Sequence, residues 1–449
     1  MKTLSWLGIF RLGLVQTALG AIVVLTTSTL NRVMVVELSL PALVPGLLVG
    51  LHSAVQLSRP RWGYGSDMGG RRTPWIIGGM AALALGGAGA SIATAWMATA
   101  RVPALALAVL AYFVIGVGVG AAGTSLLALL AQRTEPGRRA PAASLVWLMM
   151  IAGFIITTVS AGHFLDPYSP ARLVAVTSTV AVAAFLLSVI AVWGVERGVM
   201  EGSAPDAPTS ADGKPSFKAV LKEMWADQEA RAFTIFVFVS MLAYNTQDLI
   251  LEPFAGAVFG LTPGESTRLS GMQHSGVFWG MLLVAFAAGG KKKPRLGSTK
   301  TWTVLGCLAS GVALAGLVAA AVAGPTWPLR PTVFVLGLAN GAFAVAAIGW
   351  MMSLAGAGAA HGQREGVRMG VWGGAQAIAF ALGSLCGTLG VDLMRALGGG
   401  PANAYGAVFA AEAALFVVAS GLALKMQGRL QAHHHHAATL APVATLAGE

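Results

Sequence analysis

Apolar stretches of about 20 residues recur from one end of the chain to the other. One such stretch, wound as a helix, crosses the ~30 Å hydrocarbon core of a bilayer. Lipid offers no partner for backbone N–H and C=O groups, so only helices and closed β-barrels can span it. A barrel needs ~10-residue segments of alternating polarity, whereas these runs are long and continuous. Only 10% of the 449 residues are charged, against about 25% in soluble domains. A soluble enzyme, a disordered chain and a disulfide scaffold are thereby excluded. Cys307 and Cys386 both fall in apolar segments, with no CxxC or Cys/His spacing for a metal.

The pattern predicts twelve spans, at 12–34, 38–57, 74–98, 103–131, 141–164, 170–194, 232–256, 267–289, 300–324, 331–356, 366–391 and 403–426. Lys2 and Arg11 lead into the first run without a short apolar core and cleavage site, so that span is expected to be retained. With the N-terminus in the cytoplasm, 23 of the 29 basic residues fall in cytoplasmic segments. The other six are Arg32, Arg101, Arg172, Arg268, Arg330 and Arg395. That bias follows the positive-inside rule and predicts an inner-membrane protein with both termini cytoplasmic. It also accounts for the net charge of +11 without nucleic acid. Residues 197–230 are the one long polar stretch, reading as a linker with a short amphipathic helix over 216–231. They divide the chain into six-helix halves at 1–196 and 231–428, with a cytoplasmic tail at 429–449.

A weak internal repeat matches this division. Asn31-Arg32-Val33-Met34-Val35-Val36-Glu37 ends the first span, and Asn245-Thr246-Gln247-Asp248-Leu249-Ile250-Leu251-Glu252 ends the seventh. Gly50-Leu51-His52-Ser53 lies in the second, and Met272-Gln273-His274-Ser275 in the eighth. The glutamates are offset by 215 and the histidines by 222. A duplicated all-α bundle with its site near the middle of the membrane is a transporter architecture.

Between the second and third spans lies Gly63-Tyr64-Gly65-Ser66-Asp67-Met68-Gly69-Gly70-Arg71-Arg72. It resembles the GxxxDRxGRR loop signature of the major facilitator superfamily, with Met68 in place of a basic residue. Glycine permits the tight turn, and an aspartate there can pair with arginine or cap a helix. The matching loop of the second half, Gly289-Gly290-Lys291-Lys292-Lys293-Pro294-Arg295, is basic without an aspartate. The motif is structural or gating, with Gly63, Asp67, Gly70, Arg71 and Arg72 as its members, and names no substrate.

Four further stretches carry a closer resemblance: residues 30–38, Pro45-Gly46-Leu47-Leu48-Val49-Gly50-Leu51-His52, residues 245–254, and Thr262-Pro263-Gly264-Glu265-Ser266-Thr267. Together they are similar to the PucC/LhaA family of purple phototrophic bacteria, also called the bacteriochlorophyll delivery family. The resemblance covers essentially the whole chain. It implies an assembly factor for light-harvesting complex 1 or 2 in the intracytoplasmic membrane, binding or delivering bacteriochlorophyll or nascent antenna polypeptides. Carotenoid or lipid would be further ligands. The light-harvesting α/β polypeptides, bacteriochlorophyll synthase and the membrane insertion machinery would be partners. The competing reading is a secondary transporter of a hydrophobic or tetrapyrrole-like molecule. An enzyme is not expected, because the chain carries no phosphate loop and no nucleophile–base arrangement.

Bacteriochlorophyll offers a magnesium with an open axial position. His52 and His274, at repeat-related positions within spans, are the candidate ligands, with Asn245 and Gln247 as candidate amide contacts. The alternative for each histidine is a helix-packing hydrogen bond. His163 and His361 fall at span ends and are expected to be ordinary interfacial residues, and His433 to His436 lie in the tail with no role assigned. Asp248 and Glu252, at i and i+4, are expected to share a helix face. With Glu37, and with Arg32 and Arg268 as partners, they form a polar membrane cluster that is either structural or a ligand site. Glu412 is a further carboxylate within a span. Most tryptophans, among them Trp62, Trp75, Trp147, Trp302 and Trp372, are expected to be interfacial anchors.

Overall fold

The computed structural model describes residues 4–56, 71–135, 138–196, 225–226, 228–288, 296–357 and 365–439. Within them the chain is helical at every one of the twelve expected positions. We number the helices α1 (Trp6–Glu37), α2 (Leu43–Val55), α3 (Thr73–Trp96), α4 (Arg101–Arg133), α5 (Arg139–Phe164), α6 (Pro170–Val192) and α7 (Gln228–Thr246). There follow α8 (Leu251–Phe259), α9 (Pro263–Ala288), α10 (Thr299–Ala323), α11 (Leu329–Ala357), α12 (Glu365–Ala396) and α13 (Pro401–Thr439).

Nine helices among the described residues are long and apolar enough to cross a membrane, and α7 with α8 make a tenth if that bent pair counts as one span. The other two expected spans are α2, with 13 residues, and α9, whose first half carries Glu265, Arg268, Gln273 and His274. Helix starts use short polar caps. Ser5, Ser169 and Ser298 accept from the backbone N–H of Gly8, Arg172 and Thr301 at 3.2, 3.1 and 3.2 Å. Gly260, at φ 68°, ends α8 in the left-handed conformation.

Two features depart from regular helix. In α1, Leu25–Thr29 and Val33–Glu37 are π-helical. The hydroxyls of Thr26 and Thr27 donate back to Ile22 and Val23 carbonyls at 2.9–3.2 Å, competing with the regular ladder just before the first π turn. In the seventh span, Gln247–Leu249 is a 3-10 turn and the axis bends by 43° into α8.

Buried residues fall into two main cores in chain order. One is built from α1 to α6 with Leu249 added, the other from α7 to α13 with Val35 and Ala42 added. The two sets meet where α5 packs on α9 and α2 packs on α12. Small residues set the close approaches. A Cβ on Gly280 would strike the Leu338 carbonyl and one on Gly337 the Gln273 carbonyl, so α9 and α11 touch backbone to backbone.

Some expectations are corrected. Trp372 is 1% exposed and lies edge-on to Phe233 at 4.7 Å, beside the fully buried Trp350, so it is a core residue and not an anchor. The expected tail at 429–449 is helical as far as Thr439, as an extension of α13. Of the loop motif, Gly63, Asp67 and Gly70 lie outside the described residues, as do Trp62 and His361. Arg71 and Arg72 lead into α3. The Arg72 Nε donates to Gln132 Oε1 at 3.0 Å, and the backbone N–H groups of Arg72 and Thr73 donate to the Glu196 carboxylate at 3.0 and 2.9 Å.

Candidate functional site

The break in the seventh span organises the site. Pro253 has no N–H, so the carbonyl of Leu249, four residues earlier, loses its helical partner. Asn31 supplies the missing donor. Its Nδ2 reaches the Leu249 carbonyl at 2.5 Å, with Asn31 wholly buried. A polar chain continues from there between α1, α8 and α9. Thr29 and Thr267 share a hydroxyl–hydroxyl bond at 3.0 Å. Ser270 donates its hydroxyl to Glu252 Oε1 at 2.5 Å, and Glu252 is 1% exposed. The Ser270 carbonyl accepts from His274 Nδ1 at 2.7 Å. The His274 ring, half-buried, stands edge-on to Phe154 of α5 at 4.8 Å.

This last bond fixes a tautomer. A carbonyl can only accept, so Nδ1 carries the proton and, in the neutral ring, Nε2 carries the lone pair. A backbone carbonyl on the far nitrogen is the usual second-shell arrangement of a metal-ligating imidazole. His52 is placed differently. It is buried, and its Nε2 lies 3.0 Å from the amide nitrogen of Gln56 on the same helix. Its Nε2 is engaged within the protein, and the two repeat-related histidines are therefore not equivalent.

At the end of α1 a cavity of about 690 Å³ opens, lined by Arg32, Glu37, Asp166, Tyr168, Leu261 and Glu265 among others. Arg32, 2% exposed, pairs with Glu37 at 2.5 Å and donates to the Leu261 carbonyl at 2.6 Å. Burial pushes the Tyr168 phenol above its usual range and the Glu37 carboxylate adds to this, with Arg32 opposing. Thr262 and Glu265 form a reciprocal cap at the start of α9, with N–H to side-chain distances of 3.0 and 3.1 Å.

Residues 29–430 match the family described as PUCC protein. The chain belongs to the PUCC family. Among its relatives, the "Bacteriochlorophyll synthase 44.5 kDa chain" of Rhodobacter capsulatus is 54% identical over 94% of this chain and 95% of its own length. "Protein PucC" of Cereibacter sphaeroides is 30% identical over 90% of this chain and 88% of its own. The fold is also that of solved transporters. A structure of peptide transporter POT in complex with sulfate superposes with a TM-score of 0.66 at 14% identity, covering 96% of each chain. The nucleoside transporter NupG gives 0.65 at 12% identity, covering 93% of this chain and 99% of its own. This PUCC-family chain is thus a multi-pass membrane protein of facilitator-like fold, and one of its relatives is named for bacteriochlorophyll synthase.

The expected polar cluster of this PUCC-family protein is rearranged. The axis breaks between Asp248 and Glu252, so they do not share a face: Asp248 is exposed and Glu252 is buried. One arginine pairs inside the expected cluster and the other outside it. Arg32 pairs with Glu37, while Arg268 pairs with Asp166 at 3.4 Å and donates to the Gly162 carbonyl at 2.7 Å. Asn245 turns away from the site, donating to Phe380 and Ser384 of α12 at 2.7 and 2.6 Å. Gln247 is wholly buried, with its Nε2 donating to the Tyr244 carbonyl at 3.2 Å. Glu412 is buried in α13, and His163 is exposed at the end of α5. Sequence reasoning missed Thr267, Ser270, Asp166 and Tyr168. Thr267 and Ser270 lie seven and four residues before His274, a helical spacing that marks one face.

Proposed function

We propose that the protein is an assembly factor for light-harvesting complex 1 or 2 of a purple phototrophic bacterium, and that it holds bacteriochlorophyll while antenna polypeptides receive it. The observation that carries this reading is His274. Its Nδ1–H is committed to the Ser270 carbonyl at 2.7 Å, so in the neutral ring Nε2 carries the lone pair that would ligate magnesium. The name of the 54% identical relative supports the pigment class. The α/β antenna polypeptides are the partners, with bacteriochlorophyll synthase and the insertion machinery as neighbours. Carotenoid or lipid would share the apolar surface. The chain acts by binding, without covalent catalysis, and its termini face the cytoplasm.

A second reading is pigment synthesis, favoured by the name of the 54% identical relative. A third is alternating-access transport of a tetrapyrrole-like molecule, favoured by the transporter fold. Protein purified from a phototrophic membrane separates them. The assembly reading expects bound bacteriochlorophyll and co-purified antenna polypeptides, with pigment much reduced in His274→Leu. Conversion of a precursor to pigment by the purified chain would favour synthesis. Pigment uptake into vesicles without antenna partners would favour transport.

A further inference from the structure

Two carboxylates join the two sets of helices at the end of the bundle where α1 finishes. Asp392, near the end of α12, accepts the backbone N–H groups of Ala42 and Leu43 at 2.9 and 2.7 Å. These begin α2, which has no side-chain cap of its own. Asp166, just past the end of α5, accepts the N–H of Gly264 at 3.3 Å, in the first turn of α9, and pairs with Arg268. Each carboxylate meets free N–H groups at the positive end of a helix from the other set.

The two arrangements are copies. Asp166 and Asp392 differ by 226 positions, while Ala42 and Gly264 differ by 222, the offset of the two histidines. A second contact beneath each repeats the relation. A Cβ on Gly162 would meet the Arg268 side chain at 2.7 Å, and a Cβ on Gly46 would strike Thr388. Gly162 and Thr388 again differ by 226, and Gly46 and Arg268 by 222. The acceptor helix of one set thus caps the donor helix of the other, twice, about a pseudo-twofold axis. Nothing in local folding requires this, because each cap comes from more than 95 residues away.

We propose that Asp166 and Asp392 are paired latches that hold this end of the bundle shut, and that it opens only when both release. Separating α2 from α12, or α9 from α5, strands a carboxylate and the N–H groups it accepts. By symmetry the two helix ends move together. Charge-assisted hydrogen bonds of this kind shift a two-state balance by roughly tenfold or more each. The inference rests on the bundle geometry alone and holds whichever ligand the protein carries.

The test is pulsed electron spin resonance on the full chain in nanodiscs, with Cys307 and Cys386 replaced by alanine. One spin-label pair sits at Ser39 and Leu397, a second at Phe164 and Leu261, and a control pair within the first set at Thr99 and Arg172. With both aspartates present, each pair should give one narrow distance. Asp166→Ala and Asp392→Ala should each add a small longer population. The double variant should show that population strongly, on both latch pairs at once, with the control unchanged. Unchanged distances in the double variant would overturn the proposal. So would a long distance already dominant with both aspartates present, or broadening of the control pair to the same degree.

Discussion

Asn31 donates its side-chain amide to the carbonyl of Leu249 at 2.5 Å, taking the place of the N–H that Pro253 lacks. A proline in a membrane helix is tolerated where a neighbouring side chain satisfies the freed carbonyl. Replacing Asn31 by Ala should therefore destabilise the protein by ~1–3 kcal/mol, the cost of an orphaned buried acceptor. Pro253→Ala restores a backbone donor, so the Asn31→Ala/Pro253→Ala protein should regain part of the loss. Thermal unfolding of the four proteins in detergent, read as a double-mutant cycle, measures that coupling. Simple addition of the two single effects would show that the proline and the amide are unrelated.

Close backbone contact between α9 and α11 makes a second prediction. Gly337→Leu would force its side chain into the Gln273 carbonyl, one residue from His274. It should cut the yield of folded protein several-fold. Gly78→Ala, with nothing within 4 Å, should be neutral. Fluorescence-detected gel filtration of both variants gives the comparison, and equal yields would contradict the packing argument.

The span pattern, the duplication and the family stretches were legible in the sequence because lipid imposes long apolar helices and because each motif is contiguous. Pairings were not. Asp248 and Glu252 read as one helix face because their i, i+4 spacing says so, and the break that separates them leaves a Leu249 carbonyl that is satisfied by Asn31, some 220 positions away. Arg32 and Arg268 read as partners of those carboxylates, yet each found a nearer acid, Glu37 and Asp166. Trp372 read as an anchor because it sits near a span end, while Phe233 and Trp350 enclose it.

The Glu196 carboxylate supplies a pH dependence. Burial raises its proton affinity, but hydrogen bonding to Thr73 and Arg72 outweighs this and holds it below the usual carboxylate range. A group whose folded value is lowered stabilises fully above its unfolded value, about 4.3, and the contribution disappears as pH falls through the folded value. Glu196 is partly exposed, so the effect is at most about 1 kcal/mol. Between pH 6 and pH 3.5, chosen to bracket roughly that range, the melting temperature should fall more steeply for the parent than for Glu196→Gln. Parallel curves would show that the cap carries no charge-dependent stability.

The two histidines should part company on substitution. His274→Leu should leave the protein in the membrane and lower its bound pigment, and His274→Asn should be milder because it keeps a neutral ligand atom. His52→Leu should affect pigment little and thermal stability more, since its Nε2 is engaged with Gln56. Absorption spectra and melting curves of the same preparations read both effects. Loss of pigment in His52→Leu with none in His274→Leu would reverse the assignment.

Deleting the gene in its phototrophic host tests the assembly account most directly, with the near-infrared spectrum of the membranes and the pigment pool measured together. The account predicts a fall in the absorbance of one light-harvesting complex while bacteriochlorophyll is still made, restored by the intact gene and poorly by the His274→Leu form. A block in pigment synthesis, with an early intermediate accumulating, would contradict it.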